Sequence, residues 1–217
     1  MKTRSLGWSR LYWTFREFFS VSQIPALCKR TNKTSGAVGN EKSRVQYFNS
    51  ALAHCACECC RVSKYSPGPI GDDEVLVRFV VHPNYVAKDG TIKTSLFSHV
   101  EHNGCSVQRE SWASHSELRR FLDRLCPESD KKKSWHGVVS ARASDIRQAI
   151  DQTGLRKFWM YDTGEPDNPA HAEMGRATNG LSEEEIQELR FELCEIFRTD
   201  STFQSPSKYR SGLLTRP

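Results

Sequence analysis

The hydrophobic pattern gives the middle of the chain a clear periodic structure. In EVLVRFVVHP (74–83), β-branched and aromatic residues run almost unbroken to a His-Pro step, which predicts a strand with a stop. AKDGTIKTSLFSHV carries an Asp89-Gly90 turn followed by Ile92, Thr94 and Leu96 in alternation, and this predicts a second strand. Asn103-Gly104 is the favoured pair for a tight hairpin, so the short run from Cys105 to Gln108 reads as a third. HGVVSARA (136–143) and LRKFWMYD (155–162) predict a fourth and a fifth.

Three helices announce themselves by their starts. Ser114-His115-Ser116-Glu117 is a capping box leading into Leu118, Phe121, Leu122 and Leu125 on one face, and it stops at Cys126-Pro127. Ser182 to Glu185 is a second box, with Leu181 and Ile186 placed as a hydrophobic staple and Leu189, Leu193, Ile196 and Phe197 continuing the stripe. Its three leading carboxylates sit on the positive end of the helix dipole, which explains them without catalysis. A shorter helix starts at Ser144-Asp145 and runs to about Ile150. The expected fold is therefore α+β: a mixed sheet of about five strands with three helices packed on it, in which the opening hairpins are antiparallel and 136–162 forms a β-α-β unit. After that unit, YDTGEPDNPAHAE (161–173) offers Asp167 or Asn168 as an N-cap and Pro169 at the first helical position. His171 and Glu173 are then expected to begin a short helix.

Charge separates this core from what flanks it. Residues 1–64 hold eleven Lys/Arg against three Glu (+8), residues 199–217 three against one (+2), and 65–198 seventeen against twenty-two (−5). Hydrophobic content of 37% and a mean hydropathy of −0.60 are low for a wholly folded chain, which assigns part of it to solvated segments. With SKYSPGPIGDDE breaking any regular element, the expected division is a basic, aromatic, cysteine-rich extension at 1–66, a core domain at 67–199 and an irregular tail at 200–217. Trp8, Leu11, Tyr12, Phe15, Phe18 and Phe19 fall near helical spacing, suited to packing, a partner or a membrane interface. The Arg-rich start resembles an organelle transit peptide except for Glu17, and it lacks the uninterrupted apolar stretch of a secretory signal. No apolar run approaches the roughly 20 residues of a membrane span. A cytoplasmic location is the expectation, and a nucleic acid or an acidic protein is the partner that the basic arm would suit.

Four of the eight cysteines crowd into HCACECC, as Cys55, Cys57, Cys59 and Cys60. Neighbours this close cannot all pair with one another without strain, whereas thiolates at C-x-x-C spacing are half of a zinc site. Zinc is accordingly the expected metal there, with Cys28, His54, His82 and Cys105 as completing ligands of no diagnostic spacing. Cys126 and Cys194 lie in apolar helical stripes and read as small buried hydrophobes.

A second concentration of chemistry lies in the core. Cys105 or Ser106 could supply a nucleophile, Arg109 an anion-binding group, His171 a general base, and Asp162 or Glu173 a carboxylate to orient it. These roles rest on residue type, since no G-x-S-x-G, H-E-x-x-H, P-loop or G-x-G-x-x-G pattern accompanies them. The segments LVRFVVHP, GTIKTSLFSHV..GCSVQR and YDTGEPDNPAHAE together resemble a group of small bacterial proteins with the same order of segments, over about residues 74–175. The resemblance implies a recurring module and brings no activity with it. Two classes of function follow: an accessory or interaction protein with a basic arm and a bound zinc, or a small hydrolase or transferase using a Cys/Ser-His site. The second requires the loops around 103–109 and 162–173 to meet.

Overall fold

The central strand is β1 (Val75–His82), whose β-branched run predicted a buried position. In the computed structural model, which describes Glu58 and residues 65–199, β1 pairs with β2 (Cys105–Arg109) on one side and β3 (Ser134–Arg142) on the other. Beyond β2 lies β5 (His171–Arg176), and β4 (Phe158–Asp162) closes the far edge, giving the order β3-β1-β2-β5-β4. The fold is α+β with five strands and three helices, as the periodicities implied. Each pairing is antiparallel, so the sheet is not mixed. β3 and β4 do run in the same direction with a helix between them, but three strands separate them, so the unit contributes no parallel pair.

Two elements differ from the sequence expectation. Residues 92–96 are not a strand: after a minimal turn in which Val86 bridges Ile92, the chain enters a 3-10 helix at Thr94–Glu101. Leu96, Phe97 and Val100 are all fully buried from it, a helical spacing that outweighs the short alternation before it. Its last carbonyl turn explains Asn103-Gly104, because the His99 oxygen accepts the N–H groups of His102, Asn103 and Gly104. Gly104, at φ +81°, is thus a left-handed helix stop and not the corner of a hairpin. Likewise, Pro169 starts no helix. Glu165 and Asn168 exchange backbone hydrogen bonds of 2.9 and 3.1 Å in a turn, and the chain then enters β5 with His171 and Glu173 in it.

The helices stand where their caps placed them. Ser114 and Glu117 close the capping box of α1 (His115–Leu125), and Ser182 and Glu185 do the same before α3 (Glu183–Thr199). α2 (Ala143–Gln148) follows β3 directly. Strand alternation then sorts the side chains onto two faces. The first carries Leu76, Val80, Val107, Val139, Ala141, Phe158, Met160, Ala172 and Met174, and it is closed by Leu189, Leu193 and Phe197 of α3, Ile146 of α2 and the 3-10 helix. On the second face α1 packs Leu118, Phe121, Leu122 and Leu125 against Phe79, Val138 and Trp135, over β1 and β3.

The boundary expected near Pro67 falls inside a segment built into this core. Ile70 belongs to the main apolar cluster, and the Ser66 hydroxyl donates 2.8 Å to the Asp162 carbonyl. The cysteine cluster at 55–60, the aromatic stripe at 8–19 and the tail at 200–217 lie outside the described residues, apart from Glu58. Among the described residues, no helix is long and apolar enough to cross a membrane.

Candidate functional site

The loops that the catalytic expectation needed do meet, because β2 lies directly against β5. The alternation of side chains nevertheless divides the six candidate residues between the two faces of the sheet. Cys105, Arg109 and Asp162 are on the first face, and Ser106, His171 and Glu173 are on the second.

On the first face, Arg109 is held completely. Its Nε and Nη2 donate 2.7 and 2.6 Å to the two oxygens of Glu74, a bidentate pair. Nη1 donates 2.8 Å to Asp162 Oδ2 and 2.6 Å to the Gly68 carbonyl, and Nη2 adds a 3.3 Å contact to the Pro69 carbonyl. All five guanidinium N–H groups are engaged, with the Trp112 ring 5.5 Å from the guanidinium carbon. Arg109 and Asp162 are 1% and 0% exposed, so no anion reaches this arginine without dismantling the cluster. Burial pushes the Asp162 carboxyl above the usual carboxylate value, opposed by the Arg109 charge and the N–H groups of Gly68 and Gly164. Gly68 N donates 2.6 Å to the same Oδ2 atom. This group is a clasp that fastens 66–69 and β1 to the ends of β2 and β4.

Cys105 is equally remote from reaction. Its Sγ lies 3.5 Å from the Phe97 carbonyl within the apolar core, and burial raises the thiol pKa. It shares no face with His171. A thiolate nucleophile needs an electropositive, partly exposed surrounding, and this position has neither exposure nor a base.

The second face holds a different group. Register sets Ser106 opposite Glu173, Gln108 opposite His171, and Tyr161 on the far side of Glu173. His171 Nδ1 lies 2.8 Å from the Thr163 hydroxyl. The Trp159 indole lies against Gly175, where any Cβ would clash with the ring, and its ring centroid is 5.0 Å from that of Tyr161. Gln108, His171, Glu173, Trp159 and Tyr161 are all buried. Ser106 and His171 are diagonal neighbours across the strand pair, for which Cβ separations are about 7–8 Å. Serine and imidazole are therefore not set opposite each other as a nucleophile and its base would be. Gln108, Tyr161, Thr163 and Trp159 were not among the expected site residues; the signal for them was strand parity, since each shares a face with His171 and Glu173.

Among the described residues, no group of three or more His, Cys, Asp or Glu side chains could hold a metal ion. The four clustered thiols at Cys55, Cys57, Cys59 and Cys60 lie outside those residues, but the acid between them does not. Glu58 is 8% exposed and receives Arg147 of α2 at 2.7 Å, Arg156 at 3.5 Å and the Met160 backbone N–H at 3.0 Å. Arg147 also bonds Asp72 and, at 2.8 Å, the Ile70 carbonyl. One residue inside the cysteine cluster is thereby moored to the edge strand β4. No family model, no curated protein and no solved structure matches the chain.

Proposed function

We propose that this chain is a non-catalytic interaction protein, in which an acidic α+β core presents the basic N-terminal segment to a nucleic acid. The supporting observation is the clasp at Arg109, whose donors are all engaged by Glu74, Asp162 and two carbonyls. That leaves the +8 charge of residues 1–64 as the larger cationic feature of the sequence, and clustered Lys and Arg track phosphate through counterion release. Zinc bound by Cys55, Cys57, Cys59 and Cys60 belongs to the same reading, as a clamp on the arm beside its mooring at Glu58. The hydrolase or transferase reading needs Cys105 or Ser106 opposite His171, and neither stands there; the hydroxyl 2.8 Å from His171 Nδ1 is that of Thr163.

Fluorescence anisotropy of the full chain with a mixed-sequence duplex, across a salt series, tests this. Affinity is expected to fall steeply with salt, and replacing Lys29, Arg30 and Lys33 by Gln is expected to reduce the log-log slope by about 3. Absence of binding at low salt, or an unchanged slope, would remove the nucleic-acid reading; binding only to an acidic protein would replace it. Elemental analysis of the same preparation is expected to find one zinc per chain, lost in Cys57→Ser and Cys60→Ser.

A further inference from the structure

The cations of the core domain divide by what holds them. Arg109 is locked in its clasp, Arg147 bonds Glu58 and Asp72, Arg190 bonds Glu101, and Arg78 donates to the Leu96 and Ser106 carbonyls. On α1 and the loop that follows it the pattern reverses. The side chains of Arg119, Arg120, Lys131 and Lys132 are exposed and make no ion pair or hydrogen bond among the described residues. Asp123 and Glu128 lie in the same stretch and pair with none of them. Residues 119–133 hold six Lys/Arg against three Asp/Glu (+3), inside a core whose total is −5.

The fold keeps these cations outward. α1 turns Leu118, Phe121, Leu122 and Leu125 onto β1 and β3, which leaves Arg119 and Arg120 on its solvent side. The loop is shaped by Asp130, whose N–H donates 2.9 Å to the Pro127 carbonyl while its own carbonyl and carboxylate accept the N–H groups of Lys133 and Lys132 at 3.1 and 3.2 Å. Lys133 returns its ammonium to the Asp130 carboxylate at 3.3 Å, so this acid is matched within the turn and offers nothing to Lys131 and Lys132. We propose that this surface is a second contact for the phosphate backbone of duplex DNA, an inference that rests on the nucleic-acid reading above and extends it to the core. Six residues of helix separate Arg119 from Leu125, about 9 Å of rise or about three base-pair steps, so cations placed this way follow a run of phosphates. Planar guanidinium forks and ammonium point charges both suit phosphate oxygens. The large exposed apolar side chains of the described residues, Tyr65, Ile150, Leu155 and Phe191, all lie outside 119–133. The surface therefore has charge without the apolar anchor by which a membrane or a protein partner is held.

Anisotropy of the full chain with a mixed-sequence DNA duplex, across a salt series, tests it. Replacing Arg119, Arg120, Lys131 and Lys132 by Gln is expected to reduce the log-log slope by about 3–4, whereas Arg119→Lys with Arg120→Lys keeps it. Lys88, an exposed cation on the turn after β1, is the control, and Lys88→Gln is expected to leave the slope unchanged. In the complex, acetylation of Lys131 and Lys132 is expected to slow at least fivefold relative to the free chain, and that of Lys88 to stay the same. An unchanged slope in the fourfold variant, with a reduced one on replacing Lys29, Arg30 and Lys33, would overturn this proposal and keep the nucleic-acid reading. A reduced slope in the fourfold variant alone would uphold the core contact and remove the arm. Equal loss per charge in Lys88→Gln would show that net charge and not this surface sets binding. Binding to phosphatidylserine vesicles but not to the duplex would overturn both readings.

Discussion

The two faces of one sheet use the same five strands and reach opposite chemical characters. The first is an apolar layer, closed by helices whose caps and stripes were written plainly, and its charges at the strand ends are matched partner for partner. The second is aromatic and polar where β2, β5 and β4 meet, and it is covered by a described helix only toward β1 and β3. The strand CSVQR shows why they differ: Cys105, Val107 and Arg109 face one way, Ser106 and Gln108 the other. Reactive residue types that are neighbours in a strand are therefore two groups in space, and neither inherits the other's chemistry.

The sharpest break of this comparison would come from Cys105. On the first face its thiol is protected by the whole fold, so labelling by a thiol reagent at pH 8, followed at peptide level, is expected to be slowed at least a hundredfold relative to the unfolded chain. Rapid native labelling would restore a nucleophile to the site and undo the assignment of faces. The pH dependence has a definite sign. Burial raises the thiol above its ordinary 9.0, so the folded state keeps a proton that the unfolded state releases. This contribution to stability is present below pH 9 and is lost as pH rises through the folded value, so Cys105→Ala should flatten the alkaline fall of the urea midpoint.

The clasp gives the next largest effect. Asp162→Ala leaves Arg109 with an uncompensated share of charge in a dry surrounding and releases the N–H groups of Gly68 and Gly164, which is expected to cost about 3–5 kcal/mol. Urea unfolding at constant m-value measures it. A loss below about 1 kcal/mol would mean that the clasp is solvated, and would reopen Arg109 as an anion site.

These two residues also show how far the sequence could be read. α1 and α3 were legible because a capping box states its position within one residue and the stripe behind it states its buried side. β5 was not, because Asn168-Pro169 also spells a helix start, and only the alternation of Ala172 and Met174 with His171 and Glu173 argues for a strand. The error at Thr94–Glu101 is the reverse: Ile92, Thr94 and Leu96 alternate, yet Leu96, Phe97 and Val100 share a helical face. In both places a local signal competed with a longer-range pairing that the sequence does not print. The proximity that the catalytic reading required exists, since β2 and β5 adjoin, but the division of the candidate residues between faces follows from register and is invisible without it. Glu58 gave no signal, being one acid among cysteines.

Gly175 probes the second face more gently. A methyl group there would enter the Trp159 indole, so Gly175→Ala is expected to lose about 1–3 kcal/mol as the ring is forced off β5. Trp159→Leu in the same chain should recover part of that loss, measured as a non-additive double-mutant cycle. Full additivity would mean that the indole does not rest on Gly175.

The smallest effect is the most discriminating between the faces. Gln108 is 1% exposed, and among the described residues its Nε2 has no hydrogen-bond partner, an amide desolvated without compensation. Arg109, the next residue, has every donor engaged on the other face. If burial alone governs position 108, Gln108→Met keeps the length and apolar contact of the side chain while removing an unsatisfied group, and stability should rise by about 1 kcal/mol. A loss of similar size would show that the amide has an acceptor in solution, and would make the strip through Gln108, His171 and Glu173 a polar network instead of a sealed surface. Because the change leaves charge and the clasp untouched, the sign of this one measurement separates a face that is merely covered from one whose polar groups are kept for contact.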